Sequence, residues 1–141
     1  MTRRAARNTP WIELINLGTN VNHTANDSGP CLSADGLTLF FDSDRPGGYG
    51  NSDLWATSRT ATSEPWGEAV NLGPIVNSPA DETIAHISAD GSTLYFGSNR
   101  PGGYGGRDIW DVRILGMGSE SDPNSNLGLG GMSKKSDTER R

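Results

Sequence analysis

The sequence predicts an all-β fold built from two tandem four-stranded antiparallel sheets. Three observations carry this prediction. Residues 11–58 recur as residues 66–113 at a constant offset of 55, with no gap. The 141-residue chain contains 19 Gly and 8 Pro, a composition that suits short strands joined by tight turns. Each repeat also places Asp-Gly between two apolar runs, which is the strongest short-range signal for a β-hairpin.

Each repeat contains four candidate strands. In the first repeat they are residues 11–17, about 28–33, 37–43 and 53–58. In the second repeat the same strands begin near residues 66, 83, 92 and 108. The alternation of the third strand puts Leu39 and Phe41 on one face, because side chains along a strand alternate between the two faces of a sheet. Four successive strands of this kind predict an antiparallel meander.

The second and third strands of each repeat are joined by the Asp-Gly turns at 35–36 and 90–91. A turn of this type requires backbone conformations that glycine tolerates and that a side chain with a Cβ does not. The residues with predicted structural roles recur in both copies. They are Asp35, Gly36, Asp53, Trp55, Asp90, Gly91, Asp108 and Trp110.

A four-stranded meander of about 50 residues that repeats in tandem is typical of a β-propeller blade. Three motifs occur in both copies: Ser-Ala-Asp-Gly-x-Thr-Leu-(Phe/Tyr)-Phe, then Ser-(Asp/Asn)-Arg-Pro-Gly-Gly-Tyr-Gly, then Asp-(Leu/Ile)-Trp. Over residues 11–114 this pattern resembles the TolB-like, WD-repeat-like propeller family, with Ala34 and Ala89 where that family has Pro. The resemblance implies a partial β-propeller of two blades, which closes only by oligomerisation or as part of a longer chain.

Composition divides the chain into three parts. The basic residues 1–10 and the Gly/Ser-rich residues 116–141 are predicted to be disordered, because they bury little apolar surface. Residues 11–115 are the predicted two-blade region, with repeat one at 11–58 and repeat two at 66–113. We expect no signal peptide, since no apolar stretch follows the basic start, and no membrane insertion, since no apolar run is long enough. The second sheet has no later strand candidate to complete it.

The charged and titratable residues predict no catalysis. The net charge of −5 argues against a nucleic-acid partner. No Ser/His/Asp grouping, paired-carboxylate motif, phosphate loop or metal-ligand spacing stands out, so we expect no enzyme activity, no cofactor and no metal. An oxygen-rich group with the look of a calcium loop consists of Asp42, Asp44, Asn51 and Asp53. It loses two carboxylates in the second repeat and misses the calcium-loop spacing, so it is not expected to bind calcium.

The Arg-Pro-Gly-Gly-Tyr-Gly loop, at 45–50 and 100–105, is the most distinctive segment. One interpretation is a backbone nest for an anion or for sugar hydroxyls. The other is a structural turn in which Arg45 pairs with Asp53 and Arg100 pairs with Asp108. In a meander, this loop and the loop between the first two strands lie at the same rim. The predicted ligand-binding face on that rim is Asn22, Arg45, Tyr49, Asn77, Arg100 and Tyr104.

These observations predict a non-catalytic binding or scaffold module with a protein partner. The resemblance implies a protein of the bacterial cell envelope, periplasmic or secreted. One alternative is a carbohydrate-binding lectin assembled as an oligomeric propeller, in which an exposed Trp stacks on a sugar. Another is a fragment of a larger propeller. A homo-oligomer is also expected, because two blades leave a strand edge and a blade face uncovered.

Overall fold

A computed structural model describes residues 10–115 and 131–132. The predicted disordered ends, 1–10 and 116–141, therefore lie outside the described residues, apart from Pro10 and the pair 131–132. The described part contains strands and turns and no helix, so no helix in it could span a membrane.

The first sheet contains strands β1 (Asp27–Leu32), β2 (Thr38–Ser43), β3 (Asp53–Ser58) and β4 (Val70–Asn71), in that order. All neighbours are antiparallel. The second sheet repeats the pattern with β5 (Glu82–Ile87), β6 (Thr93–Ser98), β7 (Asp108–Leu115) and the two-residue β8 (Gly131–Met132). The prediction of two tandem antiparallel blades in an open, partial propeller is confirmed.

The predicted hairpin turns are also confirmed. Gly36 has φ of +76° and Gly91 has φ of +74°, in the left-handed region that favours glycine. The preceding aspartates hold these turns. The carboxylate of Asp35 accepts hydrogen bonds from the Ser33 hydroxyl and the Leu37 N–H, and Asp90 repeats the arrangement in the second sheet.

The first strand of each sheet carries a β-bulge, between Ser28 and Cys31 in β1 and at the equivalent place in β5. The residue at its centre has a left-handed backbone in each copy: Gly29 with φ of +58° and Ile84 with φ of +53°. This conformation is strained in Ile84, because a β-branched side chain crowds the backbone there. The N–H of Ile84 donates to the carboxylate of Asp42, which fastens the second sheet to the first.

The two sheets stack face to face and share one hydrophobic core. Phe40 and Leu54 from the first sheet meet Leu94 and Phe96 from the second, and all four are buried. A second cluster lies on the other face of the first sheet and contains Val21, Leu39, Phe41, Trp55 and Trp66. Leu39 and Phe41 thus share a face opposite to Phe40, as the alternation predicts.

Two expectations about the outer strands are wrong. Residues 11–17 form no strand, and only Val70–Asn71 of the corresponding second-repeat segment does so. The reason is positional, because the edge of β3 that would receive an outer strand is already taken by β4. The second wrong expectation is that the second sheet has no later strand. Gly131–Met132 pairs with Leu115 and Ile114 at the end of β7.

Candidate functional site

The predicted rim is assembled by contacts between loops that are far apart in sequence. In the first repeat, the backbone N–H of Asn26 donates to the carboxylate of Asp44 over 2.8 Å. In the second repeat, the N–H of Asp81 donates to the side-chain oxygen of Asn99, also over 2.8 Å. The first-to-second and third-to-fourth strand loops of each repeat therefore lie together.

The arginines of the rim form ion pairs, but not with the predicted partners. Arg45 bonds Asp27 at 2.6 Å and Arg100 bonds Glu82 at 3.0 Å. The predicted pairs, Arg45 with Asp53 and Arg100 with Asp108, are wrong. The reason is that backbone N–H groups occupy both of those aspartate carboxylates.

Each arginine is also enclosed by its own blade. The Nη2 of Arg45 donates to the carbonyl oxygen of Val21 over 2.5 Å. The guanidinium group of Arg45 lies 5.0 Å from the ring centre of Phe41 and 5.2 Å from that of Trp55. Arg100 makes the equivalent contacts with Val76, Phe96 and Trp110. These side chains fasten the rim loops to the sheet, and the Nε and Nη2 donors of both arginines bond partners inside the protein.

The surroundings of Asp27 change the pKa of its carboxyl group. Burial alone raises the pKa of Asp27, but hydrogen bonds from Ser43 and Arg45 outweigh it and hold that pKa below the usual value of 3.8. The carboxylate therefore stays ionised at neutral pH and keeps the charge that binds Arg45.

The Gly-Gly-Tyr-Gly turn of each repeat wraps around one carboxylate. Asp53 accepts the backbone N–H groups of Tyr49, over 2.5 Å, and of Gly50, over 3.1 Å. Asp108 accepts those of Tyr104 and Gly105 in the same way. The turn thus binds an internal carboxylate at the place where the nest interpretation expected an external anion.

The rigid turn presents a tyrosine to solvent. The Tyr49 side chain is 49% exposed and that of Tyr104 is fully exposed. The bonds to the aspartate come from the tyrosine backbone and so do not depend on the ring. Of the six predicted face residues, these two are the ones whose side chains reach outward most.

The two asparagines of the predicted face have different environments. Asn77 is buried, and its side-chain amide accepts the N–H of Leu54 over 2.8 Å and donates to the Leu54 carbonyl over 2.9 Å. Asn77 therefore acts as a substitute for a backbone neighbour of β3. Asn22 is only partly buried and donates to Asn16 over 3.0 Å.

The remaining candidates are structural. Trp55 and Trp66 are buried, Trp110 is partly buried, and Trp11 is exposed. Cys31 is free and partly buried, and its sulfur accepts the Ile87 N–H over 3.3 Å. In residues 10–114, no group of three or more His, Cys, Asp or Glu side chains could hold a metal ion.

Sequence reasoning missed the acids that pair with the rim arginines, and it missed Asn71, which bonds the first residue of β3. Asp27 and Glu82 occupy the same repeat position, so a negative charge that recurs in both repeats was a readable signal. Asn71 donates to Asp53 over 3.0 Å and is equivalent to Asn16. Both signals lie in loops or strand ends, where a repeated polar residue has many explanations.

The chain matches no protein-family model and no curated protein. Among solved structures, it is similar to TolB from Acinetobacter baumannii, with 20% sequence identity and a TM-score of 0.42. The match covers 64% of this chain and 19% of that one, so the chain spans about a fifth of the length of the matched protein.

Proposed function

We propose that this chain is a non-catalytic propeller module that binds a protein partner through the tyrosine rim. The tyrosine rim is defined as the loops 44–52 and 99–107 with the exposed side chains of Tyr49 and Tyr104. The observation that carries the proposal is the same turn in both blades, closed on an internal aspartate and displaying one tyrosine. Binding sites commonly occur on loops that a rigid scaffold positions.

A tyrosine on a rigid turn is well suited to a protein interface. Its ring provides a large contact area with only two rotatable bonds, so little conformational entropy is lost on docking. Tyrosine is enriched among the few interface residues that contribute most of the binding energy. Two such rings on neighbouring blades give a surface that a single partner can contact at two points.

The contacts of the rim favour a protein over a glycan. A sugar site needs polar side chains that hydrogen-bond hydroxyl groups, often beside a stacking tryptophan. Here Arg45 and Arg100 use their Nε and Nη2 donors within the protein, and Asn77 uses its side-chain amide. Trp55 and Trp66 are buried in the second hydrophobic cluster. The envelope location remains part of the proposal and rests on the sequence resemblance of the repeat.

The experiment is site-specific photo-cross-linking with the full chain. A benzoyl-phenylalanine replaces Tyr104, and the chain is irradiated in an extract of the source organism with increasing amounts of unlabelled competitor. We expect one protein adduct that the wild-type chain suppresses and a Tyr49→Ala/Tyr104→Ala chain does not. The double variant keeps the turns, because their hydrogen bonds come from the backbone.

Tyr95→Ala is the matched control, since Tyr95 is also exposed but lies in β6. It should compete as well as the wild type. Equal competition by the double variant would place the site elsewhere. Binding to a glycan array that requires Tyr49 and Tyr104, without a protein adduct, would favour the lectin alternative. Circular dichroism of each variant checks that the fold is retained.

A further inference from the structure

The contact between the two blades within one chain is a template for contact between chains. In it, β4 completes the edge of β3, with Asn71 opposite Trp55 and Val70 opposite Ala56. The N–H of Leu72 donates to the Leu54 carbonyl over 3.1 Å. The amides of Asn71 and Asn77 reinforce this pairing by bonding Asp53 and Leu54.

The first repeat has the equivalent segment and the equivalent asparagines at residues 15–22. The side-chain oxygen of Asn16 accepts the Gly18 N–H over 2.9 Å and the Asn22 amide over 3.0 Å. Asn71 accepts the Gly73 N–H and the Asn77 amide in the same way, over 2.8 and 2.9 Å. The turn at residues 16–22 thus has the same internal hydrogen bonds as the turn at 71–77. Residues 11–17, however, lie outside the strands, and Ile12 and Leu14 are exposed.

The second blade offers the equivalent strand edge, which is the edge of β7 that faces away from β6. Within the described residues, only β8 pairs along this edge, and only with Ile114 and Leu115. Ile109 is 83% exposed, whereas Leu54 at the same repeat position is fully buried by the internal contact. Asp108 holds its tyrosine turn as Asp53 does, and Asp53 in addition binds the outer-strand asparagine.

The far side of the first blade has a groove where a neighbouring blade would sit. It has a volume of about 810 Å³ and is lined by Leu17, Leu32 and Trp66 among others. Leu32 is equivalent to Ile87, which the internal contact buries against the first sheet and bonds to Cys31. The groove therefore corresponds to space that a blade fills within the chain.

We propose that residues 11–22 of one copy complete the β7 edge of a second copy, in a head-to-tail assembly. By the template, Asn16 lies opposite Trp110 of the second copy, and Ile15 lies opposite Asp111. A chain cannot make this contact with itself, because Leu17 and Val21 pack on the face of the first sheet that points away from the second sheet.

The assembly interface is more polar than the internal one. Asp111 and Arg113 stand where the first blade has Ala56 and Ser58. This difference is expected for a contact that forms between chains, because both surfaces are exposed before assembly. Propellers close with roughly four to eight blades, so a closed ring of this chain contains two to four copies.

Disulfide cross-linking tests the register. Ile15→Cys and Asp111→Cys are combined in a Cys31→Ser chain, whose hydroxyl can still accept the Ile87 N–H. Directly opposed residues lie within disulfide reach, so we expect oxidised species of two or more chains. The off-register control, Ile15→Cys with Arg113→Cys, should cross-link poorly. An intrachain disulfide, equal yields for both pairs, or dimers of Ile15→Cys alone would overturn the proposal.

Light scattering and sedimentation velocity on the full chain test the affinity. The wild type should show a mass that rises with concentration to at least two copies. Ile109→Glu should weaken association at least about tenfold, because a charge replaces an apolar side chain that assembly buries. Ile75→Glu, at an exposed isoleucine outside both surfaces, should have no effect. A wild-type chain that stays monomeric, or equal effects of the two variants, would overturn the proposal.

Discussion

Replacing Asn77 with Ala removes a side chain that acts as the backbone partner of Leu54. Asn77 is buried, and its amide makes three hydrogen bonds, two to the Leu54 backbone and one to Asn71. In the variant, the Leu54 carbonyl keeps its bond from the Leu72 N–H, but the Leu54 N–H loses its acceptor. The loss is therefore dominated by one buried donor without a partner.

The magnitude follows from that accounting. An orphaned buried N–H costs about 1–3 kcal/mol, and the small cavity left by the amide adds to it. We expect Asn77→Ala to lower the free energy of unfolding by about 2–4 kcal/mol. For a domain of this size, each kcal/mol lowers Tm by about 4–8 °C.

Urea unfolding followed by tryptophan fluorescence measures this loss as a shift of the midpoint. Asn22→Ala is the matched control, because Asn22 holds the same repeat position but bonds Asn16 near the surface. At a concentration where the chain is monomeric, the control should change stability by less than about 0.5 kcal/mol. Equal losses in the two variants, or a stable Asn77→Ala, would refute the structural role of this amide.

Three further outcomes are expected. Gly91→Val should lower stability by at least ~1 kcal/mol, because its φ of +74° excludes a β-branched side chain, and an unchanged Tm would contradict this. Gly50→Ala should be strongly destabilising, because a Cβ would overlap the carbonyl oxygen of Ala80, whereas Gly105→Ala, whose nearest neighbour is 3.8 Å away, should be tolerated in the same melting assay. The hydroxyls of Ser88 and Ser92 lower the pKa of Asp90 from 3.8 to about 2. The ionised carboxylate therefore stabilises the folded state fully above pH 3.8, and this stabilisation is lost as the pH falls towards 2. Asp90→Asn should flatten the dependence of the urea midpoint on pH in that range, and an identical slope in the variant would count against the turn carboxylate.

The sequence alone determined the repeat, the inner three strands of each blade and the turns between them. These features depend on local chemistry. Alternation assigned Leu39 and Phe41 to one face, and the Asp-Gly turns required left-handed glycines at 36 and 91. Strand boundaries at β3 and β7 followed from the recurring Asp that begins each strand.

Only the tertiary structure decided which groups face one another across the fold. Arg45 has several carboxylates within its loop region, and it pairs with Asp27 because backbone N–H groups already occupy Asp53. Residues 11–17 and 66–72 have similar sequences, yet only the second segment has the edge of β3 beside it. A β-strand forms only where the edge of a neighbouring strand is available to it. Similar segments therefore take different structures when one of them has such an edge in the same chain and the other does not.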